Sequence, residues 1–201
     1  MSNTSELEAL NTMLSAIAVA PISSLTGNQL SPEVNTAKNI LTEIHRAVLS
    51  IGWGFNSETK VTLTPNSTDS RIGLDENILH VDVTDTYNTD VDVVQRGNLL
   101  YDKKNHTYAF SEALTADTVI HLGWETLPEV CRRYIMIKAA RTLVDRMDGQ
   151  QAAHAFSLQD EGEAMVAMKK HDAKSRDTNL LQGNWSTRRV INRRSVISGI
   201  N

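Results

Sequence analysis

The sequence predicts an α+β protein with a four-helix core, two helices N-terminal and two C-terminal, a small antiparallel β-domain inserted between helices 2 and 3, and an extended C-terminal arm. Three observations predict it. Residues 127–147, LPEVCRRYIMIKAARTLVDRM, repeat apolar side chains at helical spacing with nothing to interrupt them after Pro128. From Thr59 the period changes to the alternation of strands, in short β-branched runs separated by Asn, Asp, Gly and Ser. Beyond Asp177 neither period persists, yet Trp185 and several aliphatic residues remain, which a purely solvated tail would not need. The chain therefore divides into residues 1–56 (N-terminal helices), 57–124 (β-domain), 125–176 (C-terminal helices) and 177–201 (arm).

Ser5 can cap a first helix from Glu6, because Leu7, Leu10, Leu14, Ile17 and Ala18 follow at helical spacing, and this helix must end before Pro21. Ser31 and Pro32 are a natural N-cap and first residue for the second helix. Its stripe is Val34, Ala37, Ile40, Leu41, Ile44, Val48 and Ile51, and Gly52 supplies the stop. Trp53-Gly54-Phe55 then places two large aromatics where helix gives way to strand, which predicts packing at a junction. The runs VTLTP, ILHVDV, VDVVQRGNLLY, TYAF and TVIHL predict one antiparallel sheet of four to six strands. Arg96-Gly97-Asn98 reads as one hairpin turn, and LLYDKKNHTYAF as a second hairpin.

In the central helix, Val130, Tyr134, Ile137 and Val144 form one apolar row and Met136, Ala140, Leu143 and Met147 a second. Arg132, Arg133, Lys138, Arg141 and Arg146 are expected mostly off that stripe. A fourth helix, from Gln150 or Gln151, carries Ala152, Ala155, Phe156, Met165 and Met168, and its acidic start and basic end suit the helix dipole. The core residues this reading selects are Ile40, Ile44, Val48, Trp53, Phe55, Tyr134, Ile137 and Leu143.

Composition excludes several classes. At 201 residues, 40% hydrophobic and 22% charged, the chain has an ordinary globular balance with no apolar run of membrane-spanning length, so no membrane role is expected. The N-terminus has no basic segment ahead of its apolar stretch and does not read as a signal peptide, so the N-x-S/T matches at Asn3, Asn66, Asn105 and Asn184 carry no weight. The one cysteine, Cys131, has no internal disulfide partner, and its helical position suits a buried small hydrophobe. Residues 57–126 hold five basic against twelve acidic side chains, net −7, and residues 169–201 eight against two, net +6. Charge so divided favours two interaction surfaces of opposite sign.

No catalytic motif is present: GxGxxG, GxxxxGK[ST], HExxH, GxSxG and CxxC are all missing. The histidines, His45, His80, His106, His121, His154 and His171, are scattered one per element, and only His80 and His121 are placed to meet across a sheet. Asp82, Asp85, Asp90 and Asp92 are the densest carboxylates. They read as an acidic sheet face, with a calcium site or a small metal-dependent nuclease or hydrolase as the alternative. Arg188, Arg189, Arg193 and Arg194 around Trp185 fit an acidic protein partner better than nucleic acid, although a basic-armed nucleic-acid-binding protein is a further alternative.

Three stretches resemble the tail tubular protein A family of short-tailed bacteriophages, also called tail adaptors or gatekeepers: LEALNTMLSAIAVAPISSL, NTAKNILTEIHRAVLSIGWGFN and LGWETLPEVCRRYIMIKAARTL. The helix running into GWGFN and the Pro-Glu that opens a K-A-x-R helix carry the resemblance, while AVAP stands where the family places a Gly before its Pro. The resemblance implies a structural virion protein of the phage tail, made in the bacterial host cytoplasm, with neither enzymatic activity nor cofactor. It implies a ring of twelve copies joining the portal protein to the tail nozzle protein, with tail fibres docked around it and DNA passing through without sequence specificity. Trp185, Arg188, Arg189, Arg193 and Arg194 are then the candidates for portal contact.

Overall fold

The computed structural model describes residues 3–26, 31–83, 91–147 and 158–175. These form α1 (Glu6–Ala16), α2 (Pro32–Leu49), β1 (Ser57–Leu63), β2 (Ile78–Asp82), β3 (Val93–Arg96), β4 (Leu99–Asp102), β5 (Leu114–Ile120), a 3-10 turn at Trp124–Thr126, α3 (Glu129–Met147) and α4 (Leu158–Ser175). The fold is α+β, as the change of period in the sequence indicates. The start of the fourth helix expected at Gln150 or Gln151 lies outside the described residues, with Ala152, Ala155 and Phe156.

Both N-terminal helices start as their caps dictate. The Ser5 hydroxyl accepts from the Glu8 N–H while the Glu8 carboxylate accepts from the Ser5 N–H at 2.8 Å, and Ser31 accepts from Val34 N–H with Pro32 following it. Beyond α1, the Asn11 side chain accepts from the Ile22 N–H at 2.8 Å and donates to the Ile22 carbonyl at 3.0 Å. This reciprocal pair holds the connector so that Val19, Ile22 and Leu25 pack on the core.

Helix α3 packs against α1, α2 and α4, and this enclosure explains why its burial is wider than one stripe. Cys131, Ile135 and Ala139 are buried in addition to Tyr134, Ile137, Ala140, Leu143 and Val144. Ile40, Ile44, Val48 and Trp53 are buried in the same cluster, and Phe55 is half-buried against it. Three residues of the expected apolar repeats are not inside, Ala18 among them because α1 ends at Ala16. Ile51 is 61% exposed because α2 ends at Leu49, and Met147 is 46% exposed as the last residue of α3.

Arg132 departs from expectation in the other direction. It is only 2% exposed, and its guanidinium donates to the carbonyls of Leu127 at 3.0 Å, Thr4 at 2.9 Å and Glu125 at 2.6 Å. The Trp124 indole N–H donates to the same Thr4 carbonyl at 3.0 Å, while Glu129 accepts from the Thr4 N–H and hydroxyl at 2.8 and 2.6 Å. A planar donor fork suits several carbonyls converging at one point, so Arg132 fastens the N-terminal strand of chain to the entry of α3.

The expected single sheet is two. Strands β1, β5 and β2 form an antiparallel sheet in that order, and β3 and β4 form a separate antiparallel pair. The Gly97-Asn98 turn joins β3 to β4 as the sequence indicates, with Arg96 opposite Leu99 and Gly97 at φ +62°. TYAF is not a strand. Thr107 and Ala109 make only isolated bridges, because Asp102 gathers the intervening turn around its carboxylate, accepting from Lys104 N–H at 2.8 Å and the Asn105 amide at 2.7 Å. In β1 the register shifts between Glu58 and Val61, where Lys60 lies at φ +60° and its N–H is taken up by Asp117 at 3.0 Å.

The helical core and the three-stranded sheet meet at Trp53–Asn56. Asn56 is buried, its side-chain oxygen accepts from Trp53 N–H at 2.8 Å, and its amide donates to Leu49 O at 2.9 Å and Ile120 O at 2.8 Å. The Trp53 indole N–H donates to Val48 O at 2.8 Å, and Gly54 N–H donates to Asp172 of α4 at 2.5 Å. Gly52 turns the chain into this loop at φ +79°, and a Cβ there would stand 3.1 Å from a Val119 methyl. Helix α2 reaches this loop through Leu49 and α4 through Asp172, and both helices pack against α3.

Asn56→Ala should cost about 2–4 kcal/mol in urea unfolding, because it leaves buried backbone groups of three segments unpaired. Ile137→Ala or Leu143→Ala should cost about 2–5 kcal/mol, whereas Lys138→Ala should cost less than about 1 kcal/mol. Similar losses at all three helical positions would contradict the burial of α3 described above.

Candidate functional site

The expected portal-contact residues, Trp185, Arg188, Arg189, Arg193 and Arg194, lie outside the described residues, as do Asp85, Asp90 and His154. Of the carboxylates of the hydrolase alternative, Asp82 and Asp92 are described. Asp82 is exposed at the end of β2, and Asp92 is exposed just before β3, with one oxygen 2.9 Å from the Lys103 ammonium. A catalytic or ion-binding carboxylate pair requires shared access to one reacting group or cation, and Asp92 is paired with Lys103 instead. Among the described residues, no group of three or more His, Cys, Asp or Glu side chains is arranged to hold a metal ion.

The carboxylate that is most enclosed, Asp102, is structural. Burial by itself raises its pKa, but hydrogen bonds from Asn105, Lys104 and Asp92 outweigh that and hold it below the usual carboxylate value. Cys131 is fully buried, and desolvation pushes its thiol up to about 12, against a smaller lowering by Arg132. Since the thiolate is the nucleophile, this cysteine has no such function at neutral pH.

The histidines depart from the expected pairing. His80 is exposed on β2 opposite Val119, and His121 instead meets His45 of α2, with ring centroids 4.8 Å apart. Trp124 presents its ring edgewise to His45 at 5.9 Å. His45 is buried, and its Nε2 has no hydrogen-bond partner, so a proton there would be an unsolvated charge. Burial first, and then the neighbouring His121, lower its pKa to about 4, against a smaller opposing influence of the Leu122 backbone. His121 is also lowered, by burial and then by Arg46. Periodicity placed His45 on α2 but could not have indicated this meeting, because His121 arrives from the other side of the junction loop.

The outer surface has open, shallow features. A cleft of about 280 Å³ runs between α3 and α4, lined by Val130, Arg133, Ile137, Asp160, Glu163, Ala164 and Ala167. Arg141 bridges to Glu161 at 3.1 Å beside it, and Arg146 to Glu43 of α2 at 2.8 Å. On the outer face of α4, Leu158 and Val166 are 72% and 62% exposed. Such mixed, open surfaces suit contacts with macromolecules better than enclosure of a small substrate.

Both histidine pKa values are lower in the folded protein, so the unfolded chain binds more protons below about pH 6.5, and stability is lost as pH falls from there towards about 4. Urea midpoints should therefore drop between about pH 7 and about pH 5. That interval lies above the range in which Asp102 and Glu129, both lowered, lose their contribution on protonation. His45→Leu should flatten this part of the profile, and an unchanged slope in that variant would remove the pair as its source.

Among the described residues, no helix is long and apolar enough to cross a membrane. No curated protein matches the chain closely enough to serve as a named relative. A family model does match: that of the tail tubular proteins, over residues 7–178, a span that takes in the helical core, both sheets and the junction loop. The chain belongs to the tail tubular protein family, as a structural component of the bacteriophage tail.

Proposed function

We propose that the chain is the subunit of a tail adaptor ring that joins portal to nozzle, lines part of the DNA exit channel, and offers its periphery to tail fibres. The observation that carries this reading is the tail tubular match over residues 7–178. The architecture supports it. Because α3 is covered on its flanks within one chain, the helical core has no need of a neighbour to complete it, and the outer faces of α2 and α4 remain for lateral contact. A ring closes when two different faces of each copy meet head to tail, and in this reading the outer faces of α2 and α4 are those two faces. In this reading twelve copies form the ring, and the protein performs no catalysis and holds no cofactor.

The arm is the portal grip in this proposal. Residues 169–201 carry net +6, and apolar Leu180, Leu181, Trp185, Val190, Ile191, Val196 and Ile197 are interleaved with Arg188, Arg189, Arg193 and Arg194. Ordering such a segment costs about 1–2 kcal/mol per residue for the backbone, so many modest contacts must act together. A ring makes this feasible, since one docked arm raises the effective concentration of the next.

Deleting residues 177–201 should leave a folded helical protein that no longer binds portal, with mass photometry reporting the ring and its portal complex. Unchanged portal affinity and salt dependence after the deletion would move the grip to the helical core. Purified protein should show no metal-dependent hydrolysis of DNA or phosphoesters, and Asp82→Asn with Asp92→Asn should leave folding and portal binding intact. Turnover abolished by those two changes would overturn the structural reading.

A further inference from the structure

The β3–β4 pair has one face inside and one outside, and the outer face is unusual in its chemistry. Val94 lies opposite Tyr101 and Arg96 opposite Leu99, so these four side chains share a face. The other face holds Leu100 and Asp102, both buried. On the outward side the Arg96 guanidinium carbon lies 3.6 Å from the centroid of the Tyr101 ring. Tyr101 in turn meets Tyr108 edge to face at 4.8 Å, and Arg71 lies 6.0 Å from the Tyr108 ring. The result is an ordered row, Arg96–Tyr101–Tyr108–Arg71, flanked by half-buried Val94 and Leu99.

A guanidinium stacked on a ring is held in place while its N–H edge stays available to an acceptor. Arg96 has no ion pair among the described residues, and Arg71 has only a contact of 3.8 Å with Asp69, both side chains being about half exposed. Tyrosine and arginine fixed beside apolar groups are the side chains that dominate protein–protein affinity, since they lose little freedom on binding. From these observations we infer that the outward face of this hairpin docks an acidic segment of another tail protein, with carboxylates meeting Arg96 and Arg71 and apolar side chains covering the two tyrosine rings.

A protein segment fits better than nucleic acid because of the surroundings. Residues 57–126 carry net −7, so a polyanion approaching the two guanidinium groups meets a net repulsive segment. A partner with a few localised carboxylates and an otherwise neutral or basic rim gains the attraction without that cost. The inference rests on the chain being a tail subunit and adds the face and the chemistry of the contact.

The test uses assembled phage particles. With p-benzoylphenylalanine in place of Val94, light should cross-link the chain to a different tail protein at a segment bearing Asp or Glu beside apolar residues. Arg96→Glu should weaken binding of that component by about tenfold or more while leaving circular dichroism unchanged, and replacing the cross-linked carboxylate by Arg should restore it. Cross-links to DNA or to a second copy of this chain would overturn the inference, as would no cross-link although the chain is present in the tails. Absence of the chain from purified tails would instead overturn the tail reading itself, and this inference with it.

Discussion

The arrangement depends first on one buried amide. Asn56 satisfies the end of α2 through Leu49, the start of the junction loop through Trp53, and the end of β5 through Ile120. An amide has both donors and an acceptor, and few side chains can serve three backbone segments at once. The position works only because Gly52 brings the chain there with a positive φ and no Cβ against Val119. Asp172, taking the Gly54 N–H, adds α4 to the same point. Two helices and a sheet are thus fixed relative to one another by polar contacts that pay off only when all are present, which is how a loop of four residues sets the relation between a helical core and a sheet.

A second polar anchor lies at the entry of α3. Arg132 is buried with its charge, which costs free energy unless the guanidinium is hydrogen-bonded. Thr4, Glu125 and Leu127 supply carbonyls, and Glu129 binds the same Thr4 from its other side. The N-terminal residues are thereby part of the helical core, and α1 is held against α3.

Groups that in an enzyme would invite a chemical reading have structural surroundings here. The buried arginine serves carbonyls, the enclosed aspartate gathers a turn, the thiol is desolvated, and His45 is kept neutral beside His121. Charge along the sequence is divided by region, net −7 over residues 57–126 and net +6 over residues 169–201. A self-sufficient core with regions of opposite charge is what the proposed ring subunit calls for.

The sequence by itself determined the helices, their caps, the insertion of strands between them and the family. Caps and periodicity are local, since Ser5, Ser31 and Pro32 act within one turn of chain, and the turn at Gly97 needs only its own φ. GWGFN was legible as a junction because two aromatics follow a helix stop. Tertiary structure alone decided the rest. That Arg132 is inside depends on carbonyls brought by Thr4 and Glu125, and a charge pattern on one helix carries no information about them. That TYAF is not a strand depends on Asp102 drawing the turn that precedes it around its carboxylate. The meeting of His45 with His121, and the row from Arg96 to Arg71, join residues far apart in the chain, and spacing says nothing about such contacts until the fold has brought their elements together.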